Sequence, residues 1–313
     1  MANTYGRVSG TFEEIDNAYG KVSGVWKEAD EIYGKVSGVW KLVFSAFEAT
    51  GFATISSGSG TFTVPANANV LHIQAGVGGG GGAAGGVSYD KAGGESAGAG
   101  GGSSGYLSDV LYSVAAGETI TFSTGSGGAA GNQTSNFGQP RVGAAGTNTV
   151  LSASSSGALV TLGGGGGSSG TNGGVQGPLR TNTAGAAGSF SSSGTRVTSG
   201  NFRDSDGTTK AVGTLTSGPA GSFNSSGVGA VGGLSGSGNC SGDNCQIGGF
   251  AGGASFNGQI AGGAGSPQGQ NVRGAAGTRG SGGGGGGAQY GSIADQGGAG
   301  GAGEIKYRFL RVS

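Results

Sequence analysis

Apolar positions gather in a few short stretches of this chain, and these stretches lie far apart. Thr61 to Gln74 (TFTVPANANVLHIQ), Tyr106 to Val114 (YLSDVLYSV), Glu118 to Phe122 (ETITF) and Glu304 to Val312 (EIKYRFLRV) carry β-branched or aromatic residues, several with period two, and read as strands. In the last of them Ile305, Tyr307 and Phe309 are expected to face one way and Lys306 and Arg308 the other. A strand near the start must then pair with one at the extreme end. Residues from about 61 to 312 are therefore expected to close into one unit that holds the apolar core.

Ahead of these strands runs a repeat with a period of 14. Tyr5-Gly6-Arg7-Val8-Ser9-Gly10-Thr11-Phe12 returns as Tyr19-Gly20-Lys21-Val22-Ser23-Gly24-Val25-Trp26 and as Tyr33-Gly34-Lys35-Val36-Ser37-Gly38-Val39-Trp40. Ser-Gly between the two halves predicts a tight hairpin in which glycine supplies φ > 0. The acidic stretches between copies, EEIDNA and KEADEI, are expected to form one helical turn each. Two readings of the aromatics Tyr5, Phe12, Tyr19, Trp26, Tyr33 and Trp40 stand side by side. They build a self-contained mini-core, or three quasi-equivalent units meet a threefold-symmetric partner.

Between the strands the pattern changes to bursts of glycine, such as Gly78 to Gly82, Gly163 to Gly167 and Gly282 to Gly287, which contribute to a total of 81 glycines in 313 residues. Ordering glycine is entropically costly, so such runs order only if many backbone groups gain partners together. Left-handed helices with three residues per turn, packed side by side, meet that condition, since glycine tolerates close approach on every face. All-glycine runs are expected at the centre of such a bundle and GGAGGAG (Gly297 to Gly303) at its edge. If each burst runs out from the strands or returns to them, the tip connections become 87 to 92, 132 to 142, 171 to 184, 195 to 217, 239 to 247, 266 to 273 and 288 to 296. These segments mix Asn, Gln, Ser, Arg and aromatics, the adaptable composition of binding loops.

Composition narrows the function classes. Val, Leu, Ile and Phe make up fewer than one residue in five, low for an ordinary apolar core, while sixteen Lys and Arg balance sixteen Asp and Glu. Charge neutrality argues against nucleic acid or an anionic membrane as the main partner. Residues 1 to 20 lack an apolar signal region, so synthesis in a cytoplasm and export by another route, such as release within a particle, is expected. Cys240 and Cys245 are compatible with a small disulfide loop or with two free thiols, and no metal or cofactor site is expected.

Enzyme signatures fail one by one. GxGxxG matches arise by chance at this glycine content, no GK(S/T) exists, and the one histidine, His72, falls inside an expected strand. Asp204-Ser205-Asp206-Gly207 resembles a fragment of a calcium loop without the remaining ligands and is expected to be a solvated turn.

With these segments assembled, the chain resembles the receptor-binding adhesins at the tips of T-even-type phage long tail fibres. The stretch TFTVPANANVLHIQAGVGGGGG is similar to the opening of glycine-rich domains in phage tail fibres, and KVSGVWK to short repeats of phage tail proteins. The resemblance implies a mostly irregular and β fold: polyglycine II helices packed on a small strand framework (residues 51–313), after an N-terminal attachment domain of three repeats (residues 1–50). It implies one monomer capping a trimeric fibre at the distal tip of a virion. The host receptor would be an outer-membrane protein or lipopolysaccharide. On the tip connections Phe137, Arg141, Leu179, Arg180, Phe202, Arg203, Asp204, Asn271, Arg273 and Tyr290 are the expected contacts, because desolvated aromatics and arginines dominate binding energy. Tyr5, Tyr19, Tyr33, Phe12, Trp26 and Trp40 are the expected fibre contacts. An assembly factor that leaves the virion, or an ice-binding protein with flat helical faces, are the alternatives.

Overall fold

In the computed structural model the described residues are 5–8, 11–14, 19–23, 25–28, 31–36, 38–45, 48–85, 98–131, 142–155, 157–169, 183–215, 225–227, 230–232, 246–247, 251–254, 260–265, 273–286, 288–289 and 296–312. The repeats form three two-stranded hairpins: β1 (Tyr5–Val8) with β2 (Thr11–Glu14), β3 (Tyr19–Val22) with β4 (Val25–Glu28), and β5 (Glu31–Val36) with β6 (Val39–Ser45). The registers Val8↔Thr11, Val22↔Val25 and Val36↔Val39 leave two residues in each turn. Ser23, the first turn position of the second hairpin, at φ +52°, and Gly38, the second turn position of the third, at φ +84°, lie in the left-handed region that a type I′ turn uses. Of the stretches expected as helical turns, Glu13, Glu14, Glu28 and Glu31 lie in strands, and residues 15–18 and 29–30 lie outside the described residues.

The framework continues with β7 (Ala53–Ile55), β8 (Ser59–Thr63), β9 (Val70–Val77), β10 (Tyr106–Ser113), β11 (Thr119–Ser123), β12 (Thr149–Ala153), β13 (Gly157–Leu162) and β14 (Phe190–Ser192). After them come β15 (Asn201–Arg203), β16 (Thr209–Ala211), β17 (Ser225–Gly227), β18 (Gln246–Ile247), β19 (Ala288–Gln289) and β20 (Glu304–Leu310). Two antiparallel five-stranded sheets result, in the orders β17-β10-β9-β20-β7 and β14-β13-β12-β11-β8. As the sequence predicts, an early strand meets the last one: Val70 pairs with Leu310 and Val77 with Glu304.

Facing sides of the sheets enclose Leu71, Ile73, Leu107, Val110, Tyr112, Ile120, Leu151, Leu159, Leu162 and Ile305. The outer side of the β9-β10-β20 sheet is covered as well. Phe202, Val212 and Leu215 pack there on Val70, Leu111 and Leu310. This corrects the expected tip position of 195–217: its described part, 195–215, covers the sheet. It also explains why Arg308, on the face opposite Ile305, Tyr307 and Phe309, is buried.

Beyond the sheets the glycine bursts run as extended segments outside any strand, and their hydrogen bonds repeat every three residues. In segment 78–84, Gly81 and Ala84 donate to Gly102 and Ala99 (2.8 and 3.1 Å), Gly79 and Gly82 to Thr147 and Ala144 (2.9 and 2.8 Å), and Gly80 and Ala83 to Gly301 and Gly298 (2.8 and 2.9 Å). These three neighbours run antiparallel to it. Its carbonyls accept from three parallel neighbours: Gly128 and Gly131 bond to Gly80 and Ala83, Gly165 and Ser168 to Gly79 and Gly82, Gly283 and Gly286 to Gly81 and Ala84. Six neighbours around one segment make a hexagonal array. Segments 98–105 and 281–286 are each bonded to six neighbours in the same way, and the three central segments touch one another.

Nine outer described segments surround these three: 124–131, 143–147, 163–168, 183–189, 230–232, 251–254, 260–264, 273–277 and 296–303. Gly78 to Gly82 and Gly282 to Gly286 are central and Gly297 to Gly303 lies at the edge, with Ala299 and Ala302 exposed, as the glycine pattern predicts. Gly163 to Gly167 is an exception, for its segment has four neighbours and lies outside the centre. Conversely 98–105 is central although Ala99, Ser103 and Ser104 carry side chains; the Ser103 hydroxyl takes part in the array by accepting from the Ala230 N–H at 2.7 Å.

Candidate functional site

The described segments enter and leave the bundle at two poles, and the poles differ in chemistry. At the sheet pole the chain passes directly into strands, from Val77 to Gly78 and from Gly105 to Tyr106, and Ile260 packs on Val77 and Tyr106. At the opposite pole the described segments end together: 85 and 98, 131 and 142, 169 and 183, 232 and 251, 265 and 273, 286 and 296. Two pairs of residues beyond those ends are described. Gln246 pairs with Gln289 and Ile247 with Ala288, so the connection after 232 meets the one after 286.

Of the ten expected contacts, Arg273 is exposed at this far pole. Phe137, Arg141, Leu179, Arg180, Asn271 and Tyr290 lie outside the described residues, as do Cys240 and Cys245. Phe202, Arg203 and Asp204 belong to the other pole. Phe202 has no exposed surface, so it is a packing residue and not a contact residue. The aromatic and arginine composition that pointed to a tip loop serves here to cover a sheet.

Around Phe202 the sheet pole carries a chain of alternating charges. His72 Nε2 donates to Asp109 Oδ1 at 3.0 Å, and Arg308 Nε donates to His72 Nδ1 at 3.1 Å. Arg308 Nη1 continues to Asp204 Oδ1 at 2.6 Å, and Lys210 Nζ bonds Asp204 at 2.6 Å and Asp206 at 3.1 Å. The Arg308 guanidinium also lies 4.5 Å from the Phe52 ring centre and 5.5 Å from that of Phe202. Burial pushes the His72 pKa down and outweighs the Asp109 hydrogen bond. Burial pushes Asp204 up, but the hydrogen bonds from Lys210 and Ser205 and the Arg308 charge more than offset it and leave its pKa below the usual carboxylate range. The Thr208 hydroxyl, the Thr208 N–H and Lys210 hold Asp206 well below that range.

This arrangement is a joint. Both ring nitrogens of His72 are taken, so neither is open to a reacting group. Asp204 and Asp206 are occupied by Lys210, Arg308 and Thr208, and no group of three metal-ligating side chains occurs among the described residues. The same hairpin holds the segment that leads from the N-terminal repeats: Ala49 N–H donates to Arg203 O at 2.8 Å, and Arg203 Nε lies 3.3 Å from Glu48 Oε1. Thr50 and Phe309 exchange two further bonds (3.0 and 2.8 Å) before β7 pairs with β20. Sequence reasoning missed this joint, although Phe202, Val212 and Leu215 supplied apolar signals for it.

A family model described as a glycine-rich domain matches residues 55–310. The chain belongs to the glycine-rich domain family. The matched region takes in both sheets and the bundle, and the three hairpins precede it. No curated protein matches the chain. Within this domain the sheet pole holds residues 48–50, and at the other pole Gln246 and Ile247 pair with Gln289 and Ala288.

Proposed function

We propose that this glycine-rich protein is a phage tail fibre adhesin whose glycine segments are polyglycine II helices. In this reading the hairpins β1 to β6 attach one monomer to the distal tip of a trimeric long tail fibre through Tyr5, Phe12, Tyr19, Trp26, Tyr33 and Trp40. The far-pole connections bind a bacterial outer-membrane protein or lipopolysaccharide and set host specificity, with Phe137, Arg141, Leu179, Arg180, Asn271, Arg273 and Tyr290 as contacts.

The observation that carries the reading is the separation of the poles. Residues 49 and 50 are bonded to Arg203 and Phe309 at the sheet pole, while six outgoing segments are each followed in sequence by a returning one, so the chain reverses six times on the other side of the bundle. The three-residue bonding period supports the helix assignment, since each turn of a helix with three residues per turn directs its three N–H groups to three neighbours and its three carbonyls to three others. A rigid scaffold that ends in variable connections is suited to binding that changes without refolding. Transplanting residues 132–141, 170–182 and 266–272 from a protein of the same build tests it. Particles carrying the exchanged chain should follow the donor's host range, and an unchanged host range in particles that still contain the chain would refute the assignment.

A further inference from the structure

Every exposed position in the described glycine segments carries a β-carbon. Ala129, Ala144, Ala145, Ala186, Ala275 and Ala276 face water on the outer segments, whereas the glycines of the twelve segments are all buried or half-buried. The N–H groups of Ala129, Ala130 and Ala145 have no partner among the described residues. An outer segment thus resembles the edge strand of a sheet, with free backbone groups able to pair with another chain.

Inside the array the place of a β-carbon is taken by a neighbour's carbonyl. A carbon added at Gly80 would fall under 3.0 Å from Ser281 O, at Gly81 from Gly166 O, and at Gly82 from Ala129 O. A methyl group on the outer side occupies the seat that the carbonyl of a thirteenth segment would need. The chain with matching segments in the same three-residue period is a second copy of this one.

We propose that the outward methyl groups terminate the array, preventing the outer segments from pairing with glycine segments of a second copy. A different account explains alanine at these sites without any partner: alanine loses less backbone entropy on folding than glycine and stands wherever space permits. The two accounts separate in one measurement.

Segments 124–131 and 143–147 form a continuous flank, joined by Ala144 N–H to Ala129 O at 2.9 Å. In the full chain Ala129→Gly, Ala130→Gly, Ala144→Gly and Ala145→Gly are made together, and the same four positions are changed to Ser in a second variant that keeps the β-carbons. Sedimentation velocity is recorded over a wide concentration range. The glycine variant should show a sedimentation coefficient that rises with concentration, with unchanged circular dichroism, while the serine variant follows the parent chain. A folded glycine variant that sediments like the parent at every concentration overturns the proposal in favour of the entropic account. If four glycines unfold the protein, Ala275→Gly with Ala276→Gly on segment 273–277 is read by the same two criteria.

Discussion

Arg308 donates from Nε to Nδ1 of His72 across 3.1 Å, so the histidine must keep its proton on Nε2, where Asp109 accepts it at 3.0 Å. A second proton would set two donors against each other. Burial lowers the pKa of His72 from 6.5, so the unfolded chain takes up a proton at a pH where the folded chain does not. Its contribution to stability is complete above about pH 6.5 and is lost as the pH falls below that value. Melting temperature recorded from about pH 7.5 to 5 should decline on the acid side, and His72→Gln should flatten the decline. A slope that persists in the variant would place the titrating group elsewhere.

Glycine substitutions should divide by location. Gly81→Ala puts a β-carbon under 3.0 Å from Gly166 O in the centre of the bundle and should cost about 3 kcal/mol or more. Gly213→Ala, which meets nothing within 4 Å, should be neutral or stabilise by about 0.4–1 kcal/mol. Urea unfolding of both variants checks the contrast, and equal costs would contradict the close packing.

Phe202→Ala removes a side chain with no exposed surface and should destabilise by about 3–5 kcal/mol. Amide exchange should accelerate at Ala49, Thr50 and the strand β7, because their partners are Arg203 and the neighbouring β20. Exchange in segment 78–84 should change little. Protection lost equally at both poles would show that the joint is not a local unit.

Glycine made most of the bundle legible, because backbone packing leaves a residue-level rule. Where a segment has six neighbours it lacks room for most side chains, and where it has fewer, alanine appears on the open side. The rule misplaced Gly163 to Gly167, since a row of neighbours on either side restricts an outer segment nearly as much as a central one. Strands β12 and β13 went unread because Thr149 to Leu162 has apolar runs too short to stand out between glycines. The segment 195–217 reads as a tip connection for a related reason: Asn201, Phe202, Arg203 and Asp204 have the composition of a binding loop, and composition does not reveal that Arg308 meets Asp204, and Leu310 meets Phe202, on a sheet. The out-and-back count still closes among the described segments, as six outward and six returning runs remain.

Binding of the purified chain to a panel of intact bacteria with outer membranes, before and after residues 132–141 and 170–182 are replaced by glycine-serine segments of equal length, decides the proposed role. The parent chain should bind some members of the panel, and the variant should lose that binding while its melting temperature stays within a few degrees. Undiminished binding by the folded variant, or failure of the parent chain to bind any member, would contradict a receptor-binding surface at the far pole.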